Sequence, residues 1–292
     1  MIFRRSVSAL HSLHIFFGVD VVVFCEGGPS LAYREAVVAA GQDGTLDTMY
    51  WSSIVSTYGI DKRFHFKSIG GKENIDAISY DISVLNIDTI TVCRDSDYDR
   101  ALGRGRTGKR IAYTNGYSWE NDVIQLLALE SLVRNLIGTG PTQSALILEL
   151  REKVAKLETD LQPWTEIDVS MFVRGRGCLF DRERPLAAID MRTPPTLRFN
   201  ALAQRLSDAG YRRRPRKVVS VSVSQVTLVC YGRMLSKAIY HTVVNLLRRV
   251  SDMRIGYEVF MRLAISETVK VMTAGLIPEF ASHVQQQRQA FV

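Results

Sequence analysis

Short apolar runs alternate with segments of helical spacing over residues 1–138, and this alternation restricts the possible folds more than any other feature. Apolar runs bounded by glycine and polar residues predict strands, whereas apolar residues that recur every three or four positions predict helices. The predicted strands are 20–26, 63–71, 88–93 and 110–116. Strands joined by helices pair in parallel through right-handed crossovers. We therefore predict an α/β fold in which helices flank a mostly parallel sheet.

Helical spacing fills the intervals between these strands. The predicted helices of this region are 30–40, 45–59, 72–85 and 118–138. Ser118 and Gly138 are residue types that commonly cap helices, so we expect one long amphipathic helix between them.

The pattern changes after Gly138, where "GTGP" interrupts the chain. The remaining sequence is mostly helical in spacing, with a basic loop or hairpin at 174–185. The run 217–230 is rich enough in β-branched residues that a strand is an alternative there. We predict two domains, an α/β domain over 1–140 and a basic, mostly α-helical domain over 141–292.

Charge is distributed unevenly along the chain. Lys and Arg number 13 against 16 Asp and Glu in residues 1–130, but 24 against 14 in residues 131–292, and the whole chain carries a formal net charge of +7. A basic region beside an acidic one suits a protein that binds an anionic polymer and holds metal ions through carboxylates.

The cysteines and the apolar segments indicate the cellular compartment. The four cysteines lie far apart without a C-x-x-C pair, which argues against a zinc site or a disulfide framework. No apolar stretch approaches the ~18 residues of a membrane span, and two histidines interrupt the apolar N-terminal segment, which we predict as a short helix and not a signal peptide. We expect a cytoplasmic protein that does not enter the membrane.

Acidic residues follow two of the predicted strands. Glu26 ends the first strand just before a Gly-Gly pair, and Asp95, Asp97 and Asp99 follow the third strand in "RDSDYD". Open parallel sheets bind ligands outside the carboxyl ends of their strands, so we expect Glu26, Asp95 and Asp97 on one rim. Oxygen ligands without Cys or His favour Mg²⁺ or Mn²⁺. The alternative for Glu26 is a solvated turn, which is the better prediction for Asp99.

Several cations are candidates for phosphate contact. Lys72 opens a predicted helix, where phosphate binds readily, although an ordinary surface lysine fits nearly as well. The segment 103–110 matches part of the ATP-binding loop motif, but Arg110 stands where that motif needs Ser or Thr, so we predict a basic loop. The run 211–217 holds five cations and is either a solvated connector or a phosphate-binding segment. The candidate nucleic-acid-binding residues are Lys72, Arg104, Arg106, Arg212, Arg213 and Arg214.

Four short motifs in order along the chain resemble the Toprim nuclease family, in particular the nucleases of PARIS-type antiphage systems. They are a Glu-Gly turn after the first strand, "GGKENI" after the second, Asp-x-Asp after the third and "SWEND" at the start of the last helix, all within about the first 140 residues. The resemblance implies Glu26, Asp95 and Asp97 as catalytic residues and as ligands of Mg²⁺ or Mn²⁺, with Glu120 as a further ligand. Many Toprim sequences also carry an Asp one or two residues after the Glu-Gly turn. This chain does not, which leaves the number of metal ions open.

The same resemblance implies a biological role. It implies cleavage of RNA, specifically tRNA, as the toxic step of abortive infection, an ABC-type ATPase partner that restrains the nuclease, and a homodimer when the nuclease is active. Two other classes stay open: a DNA-acting Toprim enzyme of the nicking or topoisomerase type, and a Toprim module that binds a partner without catalysis.

Overall fold

The computed structural model describes residues 10–28, 44–104, 108–192 and 195–292. The predicted helix at 30–40 and Arg106 lie outside these ranges. The chain forms two compact units. The first, which we call the sheet unit, comprises Met1–Ser96, Gly105–Asn115 and Met272–Val292; the second, the helical unit, comprises Asp97–Arg104 and Gly116–Val271. This division differs from a single boundary near residue 140, because residues 97–104 and 116–140 belong to the helical unit and the chain returns to the sheet unit at residue 272.

The sheet unit contains a four-stranded parallel sheet in the order β2-β1-β3-β4. The strands are β1 (Val21–Cys25), β2 (Phe64–Ser68), β3 (Ile90–Arg94) and β4 (Ile111–Tyr113). Every residue of β1 and β3 is buried, as expected for central strands covered on both faces. The four strands predicted from the apolar runs are therefore present, and the α/β prediction is confirmed.

Among the described residues of this unit, three helices precede or connect the strands: α1 (Leu13–Phe17), α2 (Leu46–Ser56) and α3 (Lys72–Leu85). Alternate residues of β1 and β3 point to one face, where Val22, Phe24, Ile90 and Val92 pack with Leu13 of α1 and with three isoleucines of α3. Burial of these apolar side chains stabilises this face.

The helical unit contains seven helices among the residues that the structure describes. They are α4 (Trp119–Val123), α5 (Leu126–Ile137), α6 (Pro141–Val173), α7 (Phe199–Asp208), α8 (Val226–Val229), α9 (Gly232–Leu247) and α10 (Tyr257–Thr273), the last of which ends just inside the sheet unit. A short antiparallel pair, β5 (Ile189–Asp190) and β6 (Thr196–Leu197), lies between α6 and α7. The C-terminal half is thus mostly helical, as predicted.

One detail of the helical unit differs from the sequence-based expectation, and one alternative that the sequence left open is decided. The segment 118–138 is two helices, because Gln125 has an extended backbone (ψ 142°) that ends one helix and caps the next. The run 217–230 forms a 3-10 turn at Val223–Gln225 and the helix α8, not a strand.

The C-terminal segment covers the other face of the sheet. It consists of α11 (Pro278–Gln287) and a 3-10 turn at Arg288–Ala290. The Thr91 hydroxyl in β3 donates to the Ala290 carbonyl at 2.8 Å. The Phe291 ring is fully buried, and its centroid lies 5.6 Å from that of Tyr58 and 6.2 Å from that of Phe64. The last residues of the chain therefore complete the core of the sheet unit.

Among the described residues, no helix combines the length and the apolar character that crossing a bilayer requires.

Candidate active site

Glu26 and Asp95 meet at the carboxyl edge of the sheet, where the neighbouring strands β1 and β3 end. Cys25 pairs with Cys93 in the parallel register, and the Glu26 N–H donates to the Cys93 carbonyl at 2.9 Å. The Asp95 N–H in turn donates to Oε2 of Glu26 at 3.2 Å. Both side chains are partly buried. The parallel pairing of two buried strands therefore brings together two of the predicted site residues.

Gly27 provides room for the Asp47 carboxyl group against the backbone that follows Glu26. The backbone of Gly27 forms two hydrogen bonds with Gly70, of 2.8 Å and 2.7 Å, so its position after β1 is fixed. Its φ of 142° is a value that side-chain-bearing residues rarely adopt, and a Cβ built on it would overlap the Asp47 carboxyl group. A glycine is therefore required here by both backbone conformation and close approach.

Asp47 is held in place by the start of α2. The Thr45 hydroxyl caps this helix by accepting the Thr48 N–H at 3.3 Å, and it lies 2.6 Å from the Ser68 hydroxyl at the end of β2. Asp47 occupies the first turn of α2, where the helix dipole favours an anion. The sequence interpretation missed this residue, because nothing in its own local motif connects it to Glu26. The available signal was the glycine that follows Glu26.

Asp97 and Glu120 belong to the helical unit. Asp97 has a left-handed backbone (φ 48°), which is uncommon outside glycine, and its N–H donates to the Tyr117 carbonyl at 2.8 Å. Glu120 lies in α4 with 7% of its surface exposed, and its Oε2 accepts the Ser118 hydroxyl at 2.6 Å. The structure thus brings Glu26 and Asp95 together in the sheet unit, whereas Asp97 and Glu120 belong to the helical unit.

The carboxylates of Glu26 and Asp95 at the edge of the sheet are the type of ligand that a hard divalent cation prefers. Within the described ranges, no group of three or more acidic, histidine or cysteine side chains is arranged to hold a metal ion. Mg²⁺ usually keeps several waters and needs only one or two protein carboxylates. Glu26 and Asp95 could supply them, with the Asp47 carboxylate close to the backbone of Gly27. Binding of Mg²⁺ or Mn²⁺ therefore stays a prediction, and the carboxylates of Glu26 and Asp95 are donors of the type that it requires.

The basic candidates of the N-terminal half differ in accessibility. Lys72 is exposed in the first turn of α3, whose Gly71 cap offers no side-chain oxygen to the free N–H groups. Arg104 is also exposed. Arg110 is 8% exposed, and burial lowers the pKa of its guanidinium. Lys72 and Arg104 can therefore reach a phosphate in solution, whereas Arg110 is largely enclosed.

Two separate basic segments of the sequence adjoin in the helical unit. The Arg174 guanidinium donates to the Arg216 carbonyl at 2.8 Å, which joins the 174–177 loop to the 211–217 run. Arg212 and Arg213 are exposed, and the Arg214 guanidinium lies 4.7 Å from the Trp164 ring centroid. The basic surface, as we name it, consists of Arg174, Arg212, Arg213, Arg214 and Arg216.

Lys217, at the end of the same run, has a structural partner. Its ammonium lies 2.5 Å from the carboxylate of Glu166, which is fully buried in α6. Lys217 therefore compensates a buried charge and is not counted in the basic surface.

Comparison with known proteins adds no family assignment, because neither a protein-family model nor a curated protein sequence matches the chain. A function must therefore be inferred from the residues of the site itself.

Proposed function

We propose that the protein is a metal-dependent nuclease of the Toprim type that hydrolyses phosphodiester bonds. The observation that supports this proposal is the hydrogen bond from the Asp95 N–H to Oε2 of Glu26, which joins two carboxylate residues at the carboxyl edge of a parallel sheet. This edge is where open α/β sheets bind their ligands. The order of the Glu-Gly and Asp-x-Asp motifs along the chain agrees with the same family.

Each acidic residue has a defined part in the proposed reaction. Asp95 and Asp97 would hold Mg²⁺ or Mn²⁺, with Glu26 and Glu120 as the further ligands that the family resemblance implies. A bound metal ion would polarise the phosphodiester and lower the pKa of the water that the metal coordinates. Glu26 accepts the proton of the attacking water, the water oxygen bonds to phosphorus, and the bond from phosphorus to the leaving sugar oxygen breaks.

The basic surface supports a polyanionic substrate. Five arginines occupy one region of the helical unit, and they can neutralise successive phosphates of a nucleic acid. Lys72 and Arg104 are exposed and could contribute further phosphate contacts. Arginines that contact phosphate raise affinity without selecting a base sequence.

The resemblance to PARIS-type nucleases, of which AriB is the member that the chain resembles, extends the proposal to a biological role. On that basis the substrate is RNA, specifically tRNA, cleaved in the cytoplasm during antiphage abortive infection. The ABC-type ATPase AriA would be the partner that restrains the nuclease, and the released nuclease would act as a homodimer.

A cleavage assay on total cellular RNA and on plasmid DNA, each with Mg²⁺ or with EDTA, tests the proposed activity. We expect RNA fragments that require the metal and whose production stops in EDTA. Metal-dependent nicking or relaxation of the plasmid, with intact RNA, would instead identify a DNA-acting enzyme. If neither nucleic acid changes with Mg²⁺ or Mn²⁺, the nuclease proposal is wrong and the partner-binding module is the remaining class.

A further inference from the structure

The helical unit contains a buried polar cluster of Tyr98, Asp168 and Arg182, and Tyr98 is the residue directly after Asp97. The Tyr98 hydroxyl donates to Oδ2 of Asp168. Nη2 of Arg182 donates to the Tyr98 hydroxyl at 2.7 Å and to Oδ2 of Asp168 at 3.1 Å. Tyr98 and Asp168 are completely buried. The three side chains thus form a closed set of hydrogen bonds.

Each end of this cluster is fixed to the backbone of the helical unit. Oδ1 of Asp168, in α6, accepts the N–H groups of Leu179 and Phe180 at 2.5 Å and 3.3 Å. The Tyr231 hydroxyl donates to the Arg182 carbonyl at 3.1 Å, and the Tyr231 ring centroid lies 4.1 Å from the Arg182 guanidinium. Such a packed, hydrogen-bonded network allows little movement of Tyr98.

Stability alone gives no reason for a polar cluster at this place. Well-packed apolar residues usually match or exceed a buried ion pair in stability, because the charges lose their hydration. A polar network with directional bonds, however, fixes geometry more precisely than apolar packing does. Asp97 directly precedes Tyr98, and its left-handed backbone is held by a hydrogen bond from its N–H to the Tyr117 carbonyl.

We propose that Tyr98, Asp168 and Arg182 are positioning residues that hold the Asp97 carboxylate in the orientation needed to bind the divalent metal. The inference rests on the proposed function, since it assumes that Asp97 is a metal ligand. Outer residues that orient a ligand usually change metal affinity by about 10–100-fold when they are substituted. The ring contacts of Tyr98 with Tyr117 and Phe172 do not depend on its hydroxyl.

The test compares Tyr98→Phe with Tyr240→Phe in the full chain. Tyr240 is a matched control, because its hydroxyl also donates a hydrogen bond within the helical unit, to the Ile255 carbonyl at 2.8 Å. Mn²⁺ binding is measured by electron paramagnetic resonance of the free ion, and amide hydrogen exchange is measured over residues 97–102. We expect Tyr98→Phe to weaken Mn²⁺ binding about 10–100-fold and to speed exchange over 97–102, with both properties unchanged in Tyr240→Phe.

Arg182→Lys provides a second variant that retains the charge but loses the planar guanidinium, and we expect the same direction of change. If the unsubstituted protein binds no Mn²⁺ and cleaves nothing, the proposed function is wrong and this inference is overturned with it. If the unsubstituted protein binds Mn²⁺ and Tyr98→Phe binds it equally well, only the positioning role is overturned. Equal losses in Tyr98→Phe and Tyr240→Phe would also overturn that role, because they would indicate a general structural effect.

Discussion

The backbone N–H of Asp95 donates to the side chain of Glu26 at 3.2 Å, so the two candidate site residues are joined directly across β1 and β3. Glu26→Gln keeps an oxygen that can accept this hydrogen bond but removes the negative charge. We expect the free energy of unfolding to change by about 0.5 kcal/mol or less. The rate of nucleic-acid cleavage should fall by about two to four orders of magnitude, as for a lost general base.

Thermal melting and cleavage rates measured on the same preparation check this prediction. Asp95→Asn with Asp97→Asn in one variant is the companion test, and it should abolish metal-dependent cleavage while leaving the melting temperature nearly unchanged. A Glu26→Gln protein that cleaves at the unsubstituted rate would falsify a catalytic role for Glu26.

Gly27→Ala should affect both stability and the site. The new methyl group would overlap the Asp47 carboxyl group and would also force an unfavourable backbone conformation, so we expect a loss of about 1–3 kcal/mol in the free energy of unfolding. Gly140→Ala is the control, because Gly140 has a similar positive φ of 150° but open space around it. Chemical denaturation of both variants separates the two effects, and equal losses would mean that the Asp47 contact is unimportant.

The basic surface predicts how nucleic-acid binding depends on salt. Replacing Arg212 and Arg213 together with Ala should reduce the slope of log affinity against log salt concentration by about two, one for each lost phosphate contact. The control replaces Arg192 and Arg262, which are paired with Asp190 and Glu258. It removes the same amount of positive charge, but the salt slope should change less. Filter-binding or anisotropy titrations over a salt series provide the slopes, and equal slopes in both double variants would contradict phosphate contact by the 211–217 run.

The ion pair between Arg151 and Glu130 predicts a pH dependence of stability. The Arg151 hydrogen bond to Glu130, at 2.5 Å from Nε, lowers the pKa of that carboxyl below its ordinary value of 4.5. A lowered folded-state pKa stabilises the protein above pH 4.5, and this contribution is lost as the pH falls through the folded-state value. Arg151→Gln should therefore lower the free energy of unfolding near neutral pH, and the loss should become progressively smaller in acid.

Urea denaturation across a pH series measures this contribution. Lys156→Gln is the control on the same helix, because Lys156 forms an exposed pair with Asp160 that should contribute about 0.5 kcal/mol or less. If the cost of Arg151→Gln is independent of pH, the Glu130 carboxylate is not the group that the arginine stabilises.

The C-terminal segment should be essential for the stability of the sheet unit. Phe291 is fully buried against Tyr58 and Phe64, so Phe291→Ala should lower the free energy of unfolding by about 3–5 kcal/mol. The adjacent Val292 is 52% exposed, and Val292→Ala should have little effect. Thermal melting followed by circular dichroism compares the two, and similar melting temperatures would show that the last residues do not support the sheet.

The features predictable from sequence were those that depend on local pattern. Buried parallel strands need continuous apolar runs, and these runs identified β1 to β4 and the places where Glu26 and Asp95 follow them. The break at Gln125 was not predictable from apolar spacing. The amphipathic pattern continues through this residue, but its backbone is extended and interrupts the helix.

Long-range packing was the other part that the sequence did not reveal. The position of Asp47 beside Gly27 depends on how α2 is capped against β2, and the return of residues 272–292 to the sheet depends on contacts such as Tyr58 with Val284. The sequence after Gly138 is mostly helical, as predicted, but helical spacing carries no information about which sheet a helix will cover.

The hydrogen bond between Thr91 and Ala290 joins residues that are 199 positions apart in the sequence, and this separation has a consequence for biosynthesis. During translation, β1 to β4 leave the ribosome long before α11 and Phe291 have been made, and one face of the sheet then lacks its covering segment. Contacts between residues so distant in sequence form late and slow the completion of folding. The unit that carries Glu26 and Asp95 can therefore reach its native packing only after the helical unit has been synthesised, which delays a mature site in the nascent polypeptide.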